Sequence, residues 1–280
     1  MFKVSAGATP NIRNAEQSYA QPFQVKGIKN CVQKEGAILV IAKSGISEED
    51  AIGITGQQVP RVVTDKPVRD IIFLNKEAFD GYEKTCKKLR EMELSLQDKS
   101  FNNALSAILK YSALKQKALL IEDADISSYR KLYISGHGNA GVGFLGSGSQ
   151  LFSVQEIVDA LQTSGILEQI KDIRLTSCGS ADKRKPTSFS KEHIENARKE
   201  SGTLEKILSG EKHSLAEHVS QEIWSRGFTD VRVSGYHGNG VFVSSKEETL
   251  PQSHLRSLEI PAVNITRRSD VRVILTSQVD

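Results

Sequence analysis

Two side chains of this 280-residue chain pair nucleophilic with acid–base chemistry in matching local settings: His137 and Cys178. His137 lies in Ser135-Gly136-His137-Gly138, directly behind the apolar run Lys131–Ile134. Cys178 lies in Ser177-Cys178-Gly179-Ser180, directly behind Ile173–Thr176. A thiol is a weak nucleophile until it becomes a thiolate, and a nearby imidazole can take its proton. The thiolate can then attack an amide carbonyl, and the imidazolium can protonate the leaving amine. The negative oxygen of the tetrahedral intermediate needs donors, for which the backbone N–H groups of Gly138 and Cys178 are candidates; glycine lets the backbone approach closely. Plainer roles compete. A cysteine behind an apolar strand also serves as a small buried hydrophobe, and a histidine among glycines as a turn residue. Both at the strand ends of one crossover unit is the sharper coincidence, and the Ser and Gly neighbours of Cys178 suit an exposed turn. Cys86, within a helical stretch, and Cys31, in a polar segment, are read as structural.

The elements that must position this pair alternate. Short strands are expected at Ala118–Ile121, Lys131–Ile134, Ile173–Thr176, Val231–Val233 and Val271–Leu275. Val68–Leu74, after Pro67, is expected to be the first strand of the main sheet, followed by a helix from about Ala78 to Leu96 with apolar residues at helical spacing. Ser153 with Glu156 and Ser214 with Glu217 form capping boxes ahead of amphipathic runs that Gly165 and Gly227 end. Strand–helix–strand alternation predicts an α/β fold: a mostly parallel central sheet with helices on both faces. Ligands then collect at the carboxyl ends of the strands, where neighbouring strands lie about 4.8 Å apart. Residues 1–66, polar and mixed with one short strand at Ala37–Ala42, are expected to form an extension or arm, leaving 67–280 as the main domain.

Composition narrows the function classes. The apolar fraction, 38%, suffices for a packed core, and 37 Lys plus Arg against 34 Asp plus Glu is too even to point to nucleic acid. The longest apolar run, Ala37–Ala42, is far short of the ~20 residues of a membrane span. No secretory signal core follows Met1, and three cysteines cannot build a disulfide framework, so a cytoplasmic, reducing setting is expected. No cysteine–histidine spacing fits a zinc site, and no cofactor is required by the sequence.

Other motifs compete with the pair. Gly136–Gly141 and Gly141–Gly146 each fit G-x-G-x-x-G, which can cradle a dinucleotide only where a helix begins inside it. The capped helix at Ser153 starts too late, so a nucleotide-binding protein is the weaker alternative; a non-catalytic interaction module is another. Ser234–Asn239 echoes Ser135–Asn139, and its Gly238-Asn239-Gly240 is read as a hairpin turn with Val241-Phe242-Val243 returning, making His237 a turn residue near the cleft.

A strand ending in His-Gly followed by a strand ending in Cys resembles the caspase-like cysteine peptidases. These include caspases, clostripain, gingipains, separases and, nearest, the self-processing protease domains of large bacterial toxins. Arg69–Ile72 with its following helix, Tyr133–Gly138 and Asp172–Gly179 carry the likeness, over roughly 68–280. The resemblance implies a caspase-like three-layer sandwich and a thiol endopeptidase, a bacterial effector or toxin acting on a protein, a peptide or its own chain. His137 would be the general base and acid, Cys178 the nucleophile, and Gly138 and Cys178 the oxyanion donors. Ser234, Gly235 and Tyr236 would line the pocket for the residue before the scissile bond. Toxin relatives are activated by inositol hexakisphosphate, toward which Lys183, Arg184, Lys185, Arg267 and Arg268 could contribute charge. No carboxylate to orient His137 stands out, and the residues that flank the cysteine in caspases are absent, so aspartate specificity is not implied.

Overall fold

The computed structural model describes residues 34–95, 97–98, 100–200, 212–241, 254–260, 262 and 264–277. In chain order the strands are β1 (Ala37–Val40), β2 (Ile71–Phe73), β3 (Ala118–Leu120), β4 (Leu132–Ser135), β5 (Phe144–Ser147), β6 (Gln150–Ser153), β7 (Asp172–Leu175), β8 (Arg232–Tyr236), β9 (Asn239–Val241), β10 (Leu255–Ser257), β11 (Thr266–Arg267) and β12 (Arg272–Leu275). The helices are α1 (Glu48–Gly56), α2 (Val59–Val63), α3 (Lys76–Glu91), α4 (Phe101–Lys115), α5 (Val154–Thr163), α6 (Ile166–Gln169), α7 (Lys191–Arg198) and α8 (Leu215–Ser225).

Seven strands make one sheet in the order β12-β8-β7-β4-β1-β2-β3, all neighbours parallel except the edge pair β12–β8. Side chains of a strand point alternately to opposite faces, and β1 with its two following residues displays this fully. Ala37, Leu39 and Ile41 join a core with residues of α5, α6 and α8, while Ile38, Val40 and Ala42 join a second core with residues of α1, α3 and α4. Helices therefore cover both faces, and the unbroken apolar run of β1 is that of a strand buried on both sides.

Residues 37–66 are thus no arm. β1 pairs with both β2 and β4 in the middle of the sheet, so the expected border at 66/67 falls inside one folded unit; residues 1–33 lie outside the described residues. The first strand of the sheet is β1, and the segment after Pro67 supplies its neighbour β2. α3 ends at Glu91, earlier than expected, because Met92 turns extended; α4 then packs beside it, capped by the Ser100 hydroxyl. Both predicted capping boxes form, with the hydroxyl accepting from the N3 amide and the Glu carboxylate accepting from the cap amide. Among the described residues the hairpin expected at Gly238 does not form; Phe242 and Val243 of its expected returning strand lie outside them. Gly238 adopts a positive φ, but β9 leaves the main sheet and pairs antiparallel with β10, because β8 is already paired by β7 and β12.

Candidate active site

β4 and β7 are direct parallel neighbours, so the loops that follow them leave the sheet at the same edge. His137 is fixed by two backbone hydrogen bonds with Gly146 of β5, its N–H donating at 2.7 Å and its carbonyl accepting at 2.9 Å. Thr176 is fixed to the end of β4: its N–H and its hydroxyl both donate to the Ile134 carbonyl, at 3.0 and 2.8 Å. A cavity of about 270 Å³ opens between these loops and α1, and both His137 and Cys178 line it. Its walls include Val40, Ile54 and Ile260. Cys178 is partly exposed. Cys86, by contrast, is fully buried among apolar residues of α3 and its neighbours, and burial pushes its thiol up.

Two glycines set the approach of the loops. A Cβ at Gly138 would stand 2.9 Å from the carbonyl oxygen of Cys178 and from Oγ of Ser177. At Gly179, φ is +58° and a Cβ would meet the Ala140 nitrogen at 2.7 Å. The histidine and cysteine loops are thus in backbone contact, which larger residues would prevent. Among the described residues neither the Gly138 nor the Cys178 amide donates a hydrogen bond, so both can serve an oxyanion.

The orienting carboxylate that the sequence left unmarked is Asp50, in the first turn of α1. Nε2 of His137 donates to Oδ1 of Asp50 at 2.9 Å; the imidazole side chain is 74% exposed and the carboxylate 12%. Ser47 caps α1 and its hydroxyl donates to Oδ2 of Asp50 at 2.5 Å. Burial by itself would raise the Asp50 carboxyl, but the hydrogen bonds from Ser47 and His137 outweigh it and hold the group below its ordinary range. With Nε2 committed to Asp50, Nδ1 is the ring nitrogen left to receive a thiol proton. Ser47-Glu48-Glu49-Asp50 ahead of Ala51 and Ile54 is itself an S-x-x-D helix-start signal. It stands in a polar stretch with little apolar periodicity, which reads as an arm until β1 is paired.

Other expected site residues fall elsewhere. Ser234, Gly235 and Tyr236 do not line this cavity. They belong to β8, paired on both sides, and are buried; Gly235 packs on Ala216 and the Ser180 carbonyl. His237 is buried too, its Nδ1 hydrogen-bonded to Asp182, whose other oxygen accepts from the Gly238 amide at 2.9 Å. The glycine-rich loop leads into the β5–β6 hairpin and α5 begins only at Val154, so neither G-x-G-x-x-G opens a helix.

A second cavity, of about 310 Å³, is strongly cationic. Arg61, Lys66, Arg69, Arg174, Arg268 and Arg272 line it, against the carboxylate of Glu35. The guanidinium groups of Arg69, Arg174 and Arg268 stand over the Tyr133 ring at 4.2, 5.5 and 5.2 Å. Burial lowers Arg69 to about 10, and its Nε has no hydrogen-bond partner. Of the five residues expected to gather anionic charge, only Arg268 lies here. Lys183 is buried against Glu217, Arg184 donates to the Lys199 carbonyl, and Lys185 and Arg267 are exposed away from the pocket lining. The cluster draws its cations from residues 61–69, from β7 and from the stretch between Arg268 and Arg272 at the start of β12, which lie far apart in sequence.

His254 also lines this cavity. Burial, then Arg268, Arg69, Arg61 and Arg256, press its pKa well below 6.5. A histidine kept neutral when folded but free to protonate when unfolded makes the unfolded state bind more protons below pH 6.5. Its contribution to stability therefore falls as pH drops through that value. Urea unfolding is expected to show wild type losing about 1 kcal/mol more than His254→Gln between pH 7.5 and 5.5.

Fold and site together define an α/β protein whose thiol and carboxylate-held imidazole share a cavity at the carboxyl edge of a mostly parallel sheet. No family model, curated protein or solved structure matches the chain.

Proposed function

We propose that the chain is a cysteine endopeptidase of caspase-like architecture. The observation that carries this reading is the shared cavity: Cys178 and His137 line it from the loops after adjacent parallel strands, with Asp50, also in its lining, bonded to Nε2 of the imidazole. In the reaction Nδ1 of His137 takes the Cys178 proton and the thiolate adds to the scissile carbonyl. The amides of Gly138 and Cys178 receive the oxyanion, and the imidazolium returns the proton to the leaving amine. Water then attacks the thioester, its proton passing to His137, and the sulfur leaves. The substrate is a protein or peptide, with the residue before the cut seated between Val40, Ile54 and Ile260. Incubating the full chain with a mixed proteome and sequencing new termini by mass spectrometry tests this; termini equally frequent with Cys178→Ala would refute it.

The cationic cavity supports a polyphosphate activator such as inositol hexakisphosphate. The unpartnered Nε of Arg69 and the excess of guanidinium groups over the carboxylates that pair with Arg61 and Arg174 (Glu35 and Asp172) fit a multiply charged anion. Arg69, Arg174 and Arg268 would hold it. Isothermal titration calorimetry is expected to show binding that weakens at least about tenfold in Arg69→Ala and Arg268→Ala, and not in Lys185→Ala.

A further inference from the structure

Arg256 of β10 is the bulkiest of the fully buried side chains, with 1% of its surface exposed. Its Nη2 donates to the Thr176 carbonyl at 2.9 Å, and its Nη1 to the carbonyls of Ser177 at 3.2 Å and Gly238 at 3.1 Å. The first two carbonyls belong to the two residues immediately before Cys178. The third precedes Asn239-Gly240, and the Gly240 N–H donates to Sγ of Cys178 at 3.4 Å. One guanidinium therefore ties together the strand end that carries the sulfur and the strand that touches it.

Among the described residues its charge is met by carbonyl oxygens and by no bonded carboxylate. Among the described residues Arg256 forms no ion pair, and its Nε has no hydrogen-bond partner. Asp182 lies within electrostatic reach but is already engaged by His237 and Gly238. The guanidinium also stands 4.9 Å from the centre of the Tyr236 ring. Burial first, then the like charge of Arg268, lower Arg256 to about 10, while Cys178, Tyr236 and Asp182 favour its charged form. It stays cationic at neutral pH. A buried cation without a counter-ion is costly unless an anion forms beside it, and an ionised sulfur is such an anion.

We infer that Arg256 is the positioning residue of the nucleophile: its three-carbonyl clamp fixes the Cys178 loop, and its buried charge is the counter-charge of the ionised sulfur. The inference rests on the reading of Cys178 as the nucleophile. A planar fork can reach three carbonyls at once, whereas a lysine ammonium keeps the charge without that geometry.

Alkylation of the full chain by iodoacetamide at pH 7, followed peptide by peptide in a mass spectrometer, tests this. Cys86, buried in the opposite core, reports whether the fold is intact. Arg256→Gln is expected to slow labelling of Cys178 about tenfold with Cys86 still protected, and Arg256→Lys to recover part of that loss. Equal labelling of Cys178 in wild type and Arg256→Gln overturns the inference, as does a lysine variant that falls as far as the glutamine one. If Arg256→Gln unmasks Cys86, the lysine variant carries the comparison: partial slowing supports the assignment and wild-type labelling refutes it. His137→Ala separates the two readings. Labelling that ignores both His137 and Arg256 defeats the peptidase proposal and this inference together. Labelling that depends on His137 but not on Arg256 defeats this inference alone.

Discussion

Cys178→Ala is expected to lower peptide cleavage by at least about 10³-fold, His137→Ala by about 10²- to 10⁴-fold, and the double variant no further than Cys178→Ala alone. The lack of additivity is the informative part. A thiol without its base and a base without its thiol are both broken halves of one unit. Neither change should disturb the fold, since the imidazole is 74% exposed and the thiol is partly exposed at a cavity rim. Substitutions at such positions usually shift stability by about 0.5 kcal/mol or less. Comparing kcat/KM on a cleaved peptide with thermal unfolding of the same preparations checks both halves of this expectation. Losses that multiply in the double variant would mean that the two side chains act independently.

Asp50 is expected to matter next most. Asp50→Ala removes the acceptor that selects the Nε2–H tautomer and the charge that supports the imidazolium, with an expected loss of about 10²-fold in kcat/KM. Asp50→Asn keeps one acceptor oxygen for His137 but loses the charge and the second oxygen that accepts from Ser47, for about tenfold. A buried triad aspartate elsewhere is worth about 10⁴-fold; here the open imidazole lets water share the task. The sign of the pH dependence follows from the carboxyl being held below its ordinary value. Its support is fully present above about pH 4 and is lost as pH falls through its lowered folded value. The ratio of wild type to Asp50→Ala should therefore stay flat from pH 5 to 8. A ratio that collapses within that range would show that another group orients His137.

Much of the frame was readable from local chemistry. β3, β4, β7 and β12 are short apolar runs bounded by polar turns, and the two capping boxes mark α5 and α8 by residue type alone. The pair itself was readable because both members sit directly behind a strand. What escaped depends on pairing across the chain. β1 looks like an isolated apolar run in a polar arm until β4 arrives to bond it. That misassignment hid α1, and with it Asp50. α4 opens with Phe101-Asn102-Asn103 and lacks the acid that completes a capping box, so its start was weakly marked. Gly238-Asn239-Gly240 has the residues of a tight turn, yet the sheet had already filled both edges of β8. The cations of the second cavity come from three distant stretches, around residues 61–69, 174 and 268–272, and no linear pattern announces it.

The order in which the pieces leave the ribosome gives the layout a temporal consequence. β1 emerges early but has nothing to bond until β2 and β4 are made, and the guanidinium that grips the Cys178 loop arrives only with residue 256. A nascent chain that already displays the imidazole and the sulfur still lacks the last fastening. The imidazole and the thiol are thus synthesised before the side chain that clamps the carbonyls beside Cys178, so the loop takes its final shape only after both are made.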